Sequence, residues 1–244
     1  MAGTTHLEQP VDAGVASVWR LTLLGAWQLS GARSTVDVGS NGQRLFALLA
    51  LRGRCDRSYL SGVLWPECSE PHAAGNLRAT LSRLHRRELT DPLESRNGSL
   101  RLRPEVSVDV RDLTRTASAV LDGGVARPDR RILRNLTGDD LLVGWYEDWV
   151  LLERERLRQL RLHALEALSG QLLAAGDFAS AVEAGLAAVA IEPLRESAHR
   201  AVIRAHLAEG NRAEALRQFD AYRDLLHRET GLSPSAELES LVPS

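Results

Sequence analysis

Short apolar runs separated by glycines open the chain. "VWRLTLLGAWQLSGARSTVDVG" alternates hydrophobic and polar positions and breaks at Gly25 and Gly31, which predicts short β-strands. The period then lengthens. In "NGQRLFALLALRG", Leu45, Leu48, Leu49 and Arg52 recur at i, i+3, i+4 and i+7, predicting a helix over Asn41 to Gly53 with the glycine as its stop. "CDRSYLSGVLWPE" predicts a second, short helix: Asp56 or Ser58 can cap it, Leu60, Val63 and Leu64 bury, and Pro66 ends it. "SEPHAAGNLRATLSRLHRREL" predicts a third, with Ser69 as N-cap, Glu70 and Pro71 in the first turn, and Ala74, Leu77, Leu81, Leu84 and Glu88 on one narrow arc. Asn97-Gly98 then sits between Leu93–Arg96 and Ser99–Arg103. A type I′ turn needs positive φ at both central residues, so this pair predicts a β-hairpin.

From about Val110 the pattern is helical throughout, with a break expected near Gly144. A repeat is visible there. Gly176-Asp177 recurs as Gly210-Asn211 at a period of 34, and at the same offset Ala164 matches Ala198, Ala167 matches Ala201 and Ala187 matches Ala221. Small residues where paired helices cross, with a glycine at the turn, are the tetratricopeptide signature at that period. One such unit cannot bury its own face, so the helices before Leu172 are expected to complete the stack.

The expected fold class is therefore α+β, an N-terminal winged helix-turn-helix followed by an all-α tetratricopeptide-like domain. The expected divisions are a flexible tail over 1–17, a winged-helix domain over 18–109 and the helical domain over 110–244. Hydrophobic residues at 44% and charged residues at 25% are globular values. No apolar run approaches the roughly 20 residues of a membrane span, and the start lacks the basic and apolar regions of a signal peptide. Two cysteines, Cys55 and Cys68, without a CxxC or a paired histidine motif, are expected to be reduced packing residues of a soluble, cytoplasmic protein.

Charge adds one feature. The chain carries a formal net charge of -2, and every basic residue is arginine, a bias read as genomic. Yet His72 to Arg103 holds seven arginines against three acids. A basic patch on a near-neutral protein points to an acidic partner. On a helical wheel with Leu77 at 0°, the apolar arc of the third helix centres at roughly 20°. His72, Ser82, Arg83 and Arg86 then lie opposite, Asn76 and Arg87 flank them, and Arg78 falls to one side, where it is assigned to phosphate or a local brace. Asn can pair with adenine and Arg with guanine in the major groove. Arg96, Arg101 and Arg103 on the hairpin would hold the backbone or the minor groove. The expected ligand is double-stranded DNA.

"YLSGVLWPECSEPHAAGNLRATLSRLHR" resembles the helix-turn-helix of the Streptomyces antibiotic regulatory protein family, with its Leu-Trp-Pro at the end of the second helix. "DWVLLERERLRQLRLHALEAL", "IEPLRESAHRAVIRAH" and "HRETGLSPSAELESL" are similar to the activator domain that follows it in that family. The resemblance runs from about Val18 to Leu241. It implies an OmpR-like winged helix with recognition helix Pro71 to Arg87 and wing Leu93 to Arg103. It also implies activation from tandem direct repeats at promoters, as in regulation of antibiotic biosynthesis. Further implied partners are RNA polymerase holoenzyme with its sigma factor and a neighbouring copy of the chain. His85 stands where arginine is usual, which leaves the operator open, and no GxxxxGK[ST] occurs.

No catalytic constellation, metal site or cofactor motif is found. Glu147 and Asp148 are adjacent and diverge on a helix. His199 and His206 are about 10 Å apart along a helix axis. Trp145 and Trp149 are expected in the core, and "RERLRQLRLH" is expected to be mainly a solvated face. Two rivals remain: a helical-repeat scaffold for a protein or small-molecule partner, and a repressor acting by occlusion.

Overall fold

The computed structural model describes residues 19–32, 34–123 and 130–242. The tail expected over 1–17 lies outside the described residues. The chain forms two compact units. Among the described residues, one contains Trp19–Leu21 together with Gln28–Ser107, and the other contains Thr22–Trp27 with Val108 onward.

In the first unit, β1 (Arg20–Thr22), β2 (Gln28–Ser30) and β6 (Ser107–Val108) form a small sheet in the order β2-β1-β6. Three helices follow β2: α1 (Ser40–Arg52), α2 (Arg57–Leu64) and α3 (Glu70–Arg86). A second sheet, in the order β3-β5-β4, is made by β3 (Cys55–Asp56), β5 (Ser99–Leu102) and β4 (Leu93–Arg96). Amphipathic spacing produces the helices: Leu45, Leu48 and Leu49 of α1, Leu60 and Leu64 of α2, and Leu77 and Leu84 of α3 are buried together. Gly53 ends α1 at φ 77, and Asp56 is the N-cap of α2. Cys55 is buried and paired opposite Leu100, whereas Cys68 is exposed beyond α2; both are free thiols.

The end of α3 departs from the expected arc. Glu88 lies outside the helix at φ 58. Its N–H donates to the His85 carbonyl, and that of Leu89 donates to the Leu84 carbonyl at 2.9 Å, closing a Schellman motif around a non-glycine residue. Left-handed backbone costs an L-residue about 1–2 kcal/mol. Glu88→Gly should therefore raise stability by about 0.5–1 kcal/mol, less than the full strain because glycine gains unfolded-state entropy. Chemical denaturation midpoints check this.

The second unit is helical, with α4 (Asp109–Leu121), α5 (Arg130–Leu136), α6 (Asp148–Ala174), α7 (Phe178–Ile191), α8 (Glu196–Glu209), α9 (Arg212–Thr230) and α10 (Ala236–Glu239). From α6 to α9 each helix packs on the next, and α4 and α5 lie on α6. Alanines make close packing possible: Ala181, Ala184 and Ala188 of α7 are fully buried with Ala164, Leu165 and Leu168 of α6. Gly185 lets α7 approach α8, since a Cβ there would lie 2.7 Å from Val202 Cγ2. Helices α7 and α9 begin 34 residues apart, after turns holding Gly176 and Gly210 at positive φ. At the first turn Asp177 accepts from the Ser180 N–H at 3.2 Å.

The "RERLRQLRLH" stretch differs from its expected solvated role. Arg154 donates to the carbonyls of Leu141, Leu142 and Trp145, and Arg161 is buried and donates to the Asp139 carbonyl. These arginines satisfy orphaned carbonyls of the non-helical chain before α6, where Leu142 and Gly144 have positive φ. Arg158 pairs with Glu155 and Glu192. Trp149 is buried as expected, edge-on to Trp145 at 6.4 Å, but Trp145 precedes α6 and is only half-buried, so the two do not share a helix face.

His199 is also structural. Its Nε2 lies 2.9 Å from the Pro193 carbonyl, its Nδ1 lies 2.8 Å from Gln218 Nε2, and its ring stacks on Tyr222 at 4.2 Å. Burial holds its imidazole below the usual histidine range. As pH falls through about 6.5, the unfolded chain binds a proton that the folded chain resists, so this contribution to stability is present above that pH and is lost below it. The thermal midpoint should fall between pH 7.5 and 5.5, and the slope should flatten in His199→Gln.

Candidate nucleic-acid interface

Helix α3 rests on its core through Ala73, Leu77, Thr80 and Leu84. Thr80 takes the place expected for Leu81, which is only half-buried. The Thr80 hydroxyl donates to the Asn76 carbonyl at 2.9 Å and so enters the interior satisfied. This turns the helix by roughly 50° on the 100°-per-residue wheel. The outward face becomes Gly75, Arg78, Ala79, Ser82 and Arg86, with Arg83 and His72 at one edge and all but the half-buried Gly75 exposed.

Arg78, expected on the flank, thus faces outward. Arg78, Arg83 and Arg86 make no hydrogen bond or ion pair among the described residues. Asn76 moves toward the flank, half-buried, with its Nδ2 3.8 Å from Cys68 Sγ. Ser69 is the N-cap residue, but its hydroxyl meets His72 Nδ1 at 2.8 Å instead of a backbone N–H. Arg87 leaves the face: it donates to the Asp37 carbonyl at 3.3 Å and pairs with the Asp37 carboxylate.

The hairpin forms as its turn residues require. Asn97 and Gly98 have φ of 50° and 78°, and Arg96 pairs across with Ser99. Its three arginines are not equivalent. Arg101 lies opposite Glu94 in the register and donates to it through Nε at 2.8 Å, and this guanidinium holds the Glu94 carboxyl below the usual carboxylate range. Arg54 reaches the same carboxylate. Arg103 donates to the Asp91 carbonyl at 2.7 Å. Only Arg96 of the three is exposed with no partner among the described residues. The arrangement offers four uncommitted guanidinium groups on one unit, each able to hold a phosphate or a guanine edge.

Among the described residues no group of His, Cys, Asp and Glu could hold a metal ion, and no helix is long and apolar enough to cross a membrane.

Residues 111–243 match the family model of the bacterial transcriptional activator domain. The regulatory protein AfsR of Streptomyces griseus is 31% identical over 245 residues, covering 95% of this chain and 25% of that protein. AfsR of Streptomyces coelicolor is likewise 31% identical, with 24% of its length covered. The chain thus spans about a quarter of the curated relatives it matches. Mycobacterium tuberculosis EmbR, solved in complex with a low-affinity phosphopeptide, superposes with a TM-score of 0.70 over 92% of this chain and 64% of its own, at 19% identity, a likeness of fold. With more than half of its length matched by the family model, the chain belongs to the bacterial transcriptional activator domain family, which the motifs of its C-terminal half resembled.

Proposed function

We propose that the chain is a sequence-specific DNA-binding transcriptional regulator without enzymatic activity or cofactor, acting in the cytoplasm. The observation that carries this reading is the outward face of α3, where Arg78, Arg83 and Arg86 stand uncommitted beside small residues that allow close approach to a groove. In this reading the first unit is a winged helix-turn-helix. Helix α3 enters the major groove, with Ser82 and its small neighbours toward base edges, His72 and Asn76 at the margin, and Arg78, Arg83 and Arg86 on the flanking phosphates. The β4–β5 hairpin is the wing. The second unit, read as tetratricopeptide-like pairs, would contact a neighbouring copy on tandem repeats, RNA polymerase holoenzyme with its sigma factor, or both. Family membership favours activation over occlusion, and the resemblance of the motifs to the Streptomyces antibiotic regulatory proteins favours antibiotic biosynthesis genes over others.

The wing is expected to act through Arg96 more than through Arg101 or Arg103. Arg96→Ala should weaken binding to all sequences and lower the salt slope by about one. Arg101→Ala should change the slope by less, because Arg101 is already committed to Glu94. Equal effects would mean that Arg101 leaves Glu94 for DNA. The reading as a whole is tested by selecting bound fragments from genomic DNA with purified protein across a salt series. Enrichment of tandem direct repeats with a steep salt dependence supports it. Weak, salt-insensitive binding without enrichment sinks it in favour of a protein or small-molecule scaffold. Transcription in vitro from an enriched fragment then separates activator from repressor.

A further inference from the structure

The geometry points to a phosphate-binding site in the cleft between the N-terminus of α1 and the C-terminal half of α3. A cavity of about 480 Å³ is walled by Val38 to Gly42 on one side and by Arg83, Arg86 and Arg87 on the other. Arg83 and Arg86 have no partner among the described residues. Asp37, the sole acid paired nearby among the described residues, is held by Arg87. The opposite wall adds donors. The N–H groups of Gly42 and Gln43 turn back to the Gly39 carbonyl, whereas those of Ser40 and Asn41 make no bond among the described residues. Gly39 offers no side-chain cap, and α1 has no acid in its first turn. Gly42 brings this wall close: a Cβ there would lie 2.7 Å from Val38 Cγ1 and 3.2 Å from Leu84 Cδ2.

Two guanidinium groups facing free amides across an open cleft suit an anion with acceptor oxygens in several directions, which a phosphate has and a chloride lacks. The cleft is far larger than a phosphate group alone, so the phosphate belongs to a larger molecule. A DNA backbone and a small phosphorylated metabolite share this chemistry. The backbone source rests on the DNA-binding reading above, since Arg83 and Arg86 also border the outward face of α3.

The test uses the full chain and Ser40→Asp. Ser40 is exposed at the first helical position, where an acid favours the helix and places its own negative charge in the site. Inorganic phosphate, titrated at constant ionic strength against chloride, should shift the Ser40 and Asn41 amide resonances in the native chain and not in the variant. Ser40→Asp should also weaken binding to a random-sequence duplex by about tenfold and lower the salt slope by about one, with an unchanged or higher thermal midpoint. Amides that ignore phosphate, or respond equally in both proteins, overturn the site. A phosphate response with unchanged duplex affinity and slope overturns the backbone source and assigns the cleft to a free phosphorylated molecule. A native chain that binds no duplex removes the DNA-binding reading, and the phosphate titration still decides the site alone.

Discussion

Replacing Arg78, Arg83 and Arg86 together with alanine should lower affinity for duplex DNA by about two orders of magnitude or more at physiological salt, and should reduce the salt slope by about three. The expectation follows from their free state: no acid of the chain competes for these three guanidinium groups among the described residues. For the same reason the folded protein should hardly notice the change. All three side chains are exposed, and such substitutions shift stability by no more than about 0.5 kcal/mol. A titration of a labelled duplex at several salt concentrations, beside a thermal melt, reads both effects. An unchanged salt slope would take α3 off the phosphate backbone and leave the basic face without its proposed partner.

Asp109→Ala should cost about 2–4 kcal/mol, by a wholly different route. The Asp109 carboxylate accepts from the N–H of Leu23 and of Leu24, both at 2.9 Å, and from the Val110 N–H at 2.7 Å. Leu23 is fully buried, so alanine would leave its donor without acceptor or water. The segment so held, Thr22–Trp27, also bonds to the chain before α6: the Gly25 N–H donates to the Asp140 carbonyl at 2.7 Å, and the Leu142 N–H donates to the Leu23 carbonyl at 2.8 Å. Asp109→Asn keeps one acceptor oxygen and should recover roughly half of the loss. Urea unfolding of the full chain measures both variants. A change below about 0.5 kcal/mol for the alanine variant would show that the carboxylate does not hold this segment.

Much of the candidate interface was legible in residue order. The Asn-Gly pair specifies a turn because so few residues tolerate two consecutive positive φ values, and the hairpin formed around it. The Arg101–Glu94 pair was within reach of the same logic: counting back from the turn places the two opposite each other, and opposite charges so placed attract. The orientation of α3 was less accessible. Ranking positions by hydrophobicity selects Leu81 over Thr80, because it cannot see that the Thr80 hydroxyl finds the Asn76 carbonyl. Glu88 was equally hidden, since a Schellman ending is usually announced by glycine.

The chain's own pattern determined where helices and strands form, where they turn, and that a basic stretch sits on a leucine-anchored helix. Those properties are local, set by side-chain period and backbone preference within a few residues. Tertiary structure alone decided which arginines are free. Arg87, Arg101, Arg103, Arg154 and Arg161 resemble Arg78, Arg83, Arg86 and Arg96 in sequence, yet the first group is committed to Asp37, Glu94 and backbone carbonyls while the second is not. A guanidinium is spent on the nearest unsatisfied acceptor, and that neighbour is fixed by the folded chain.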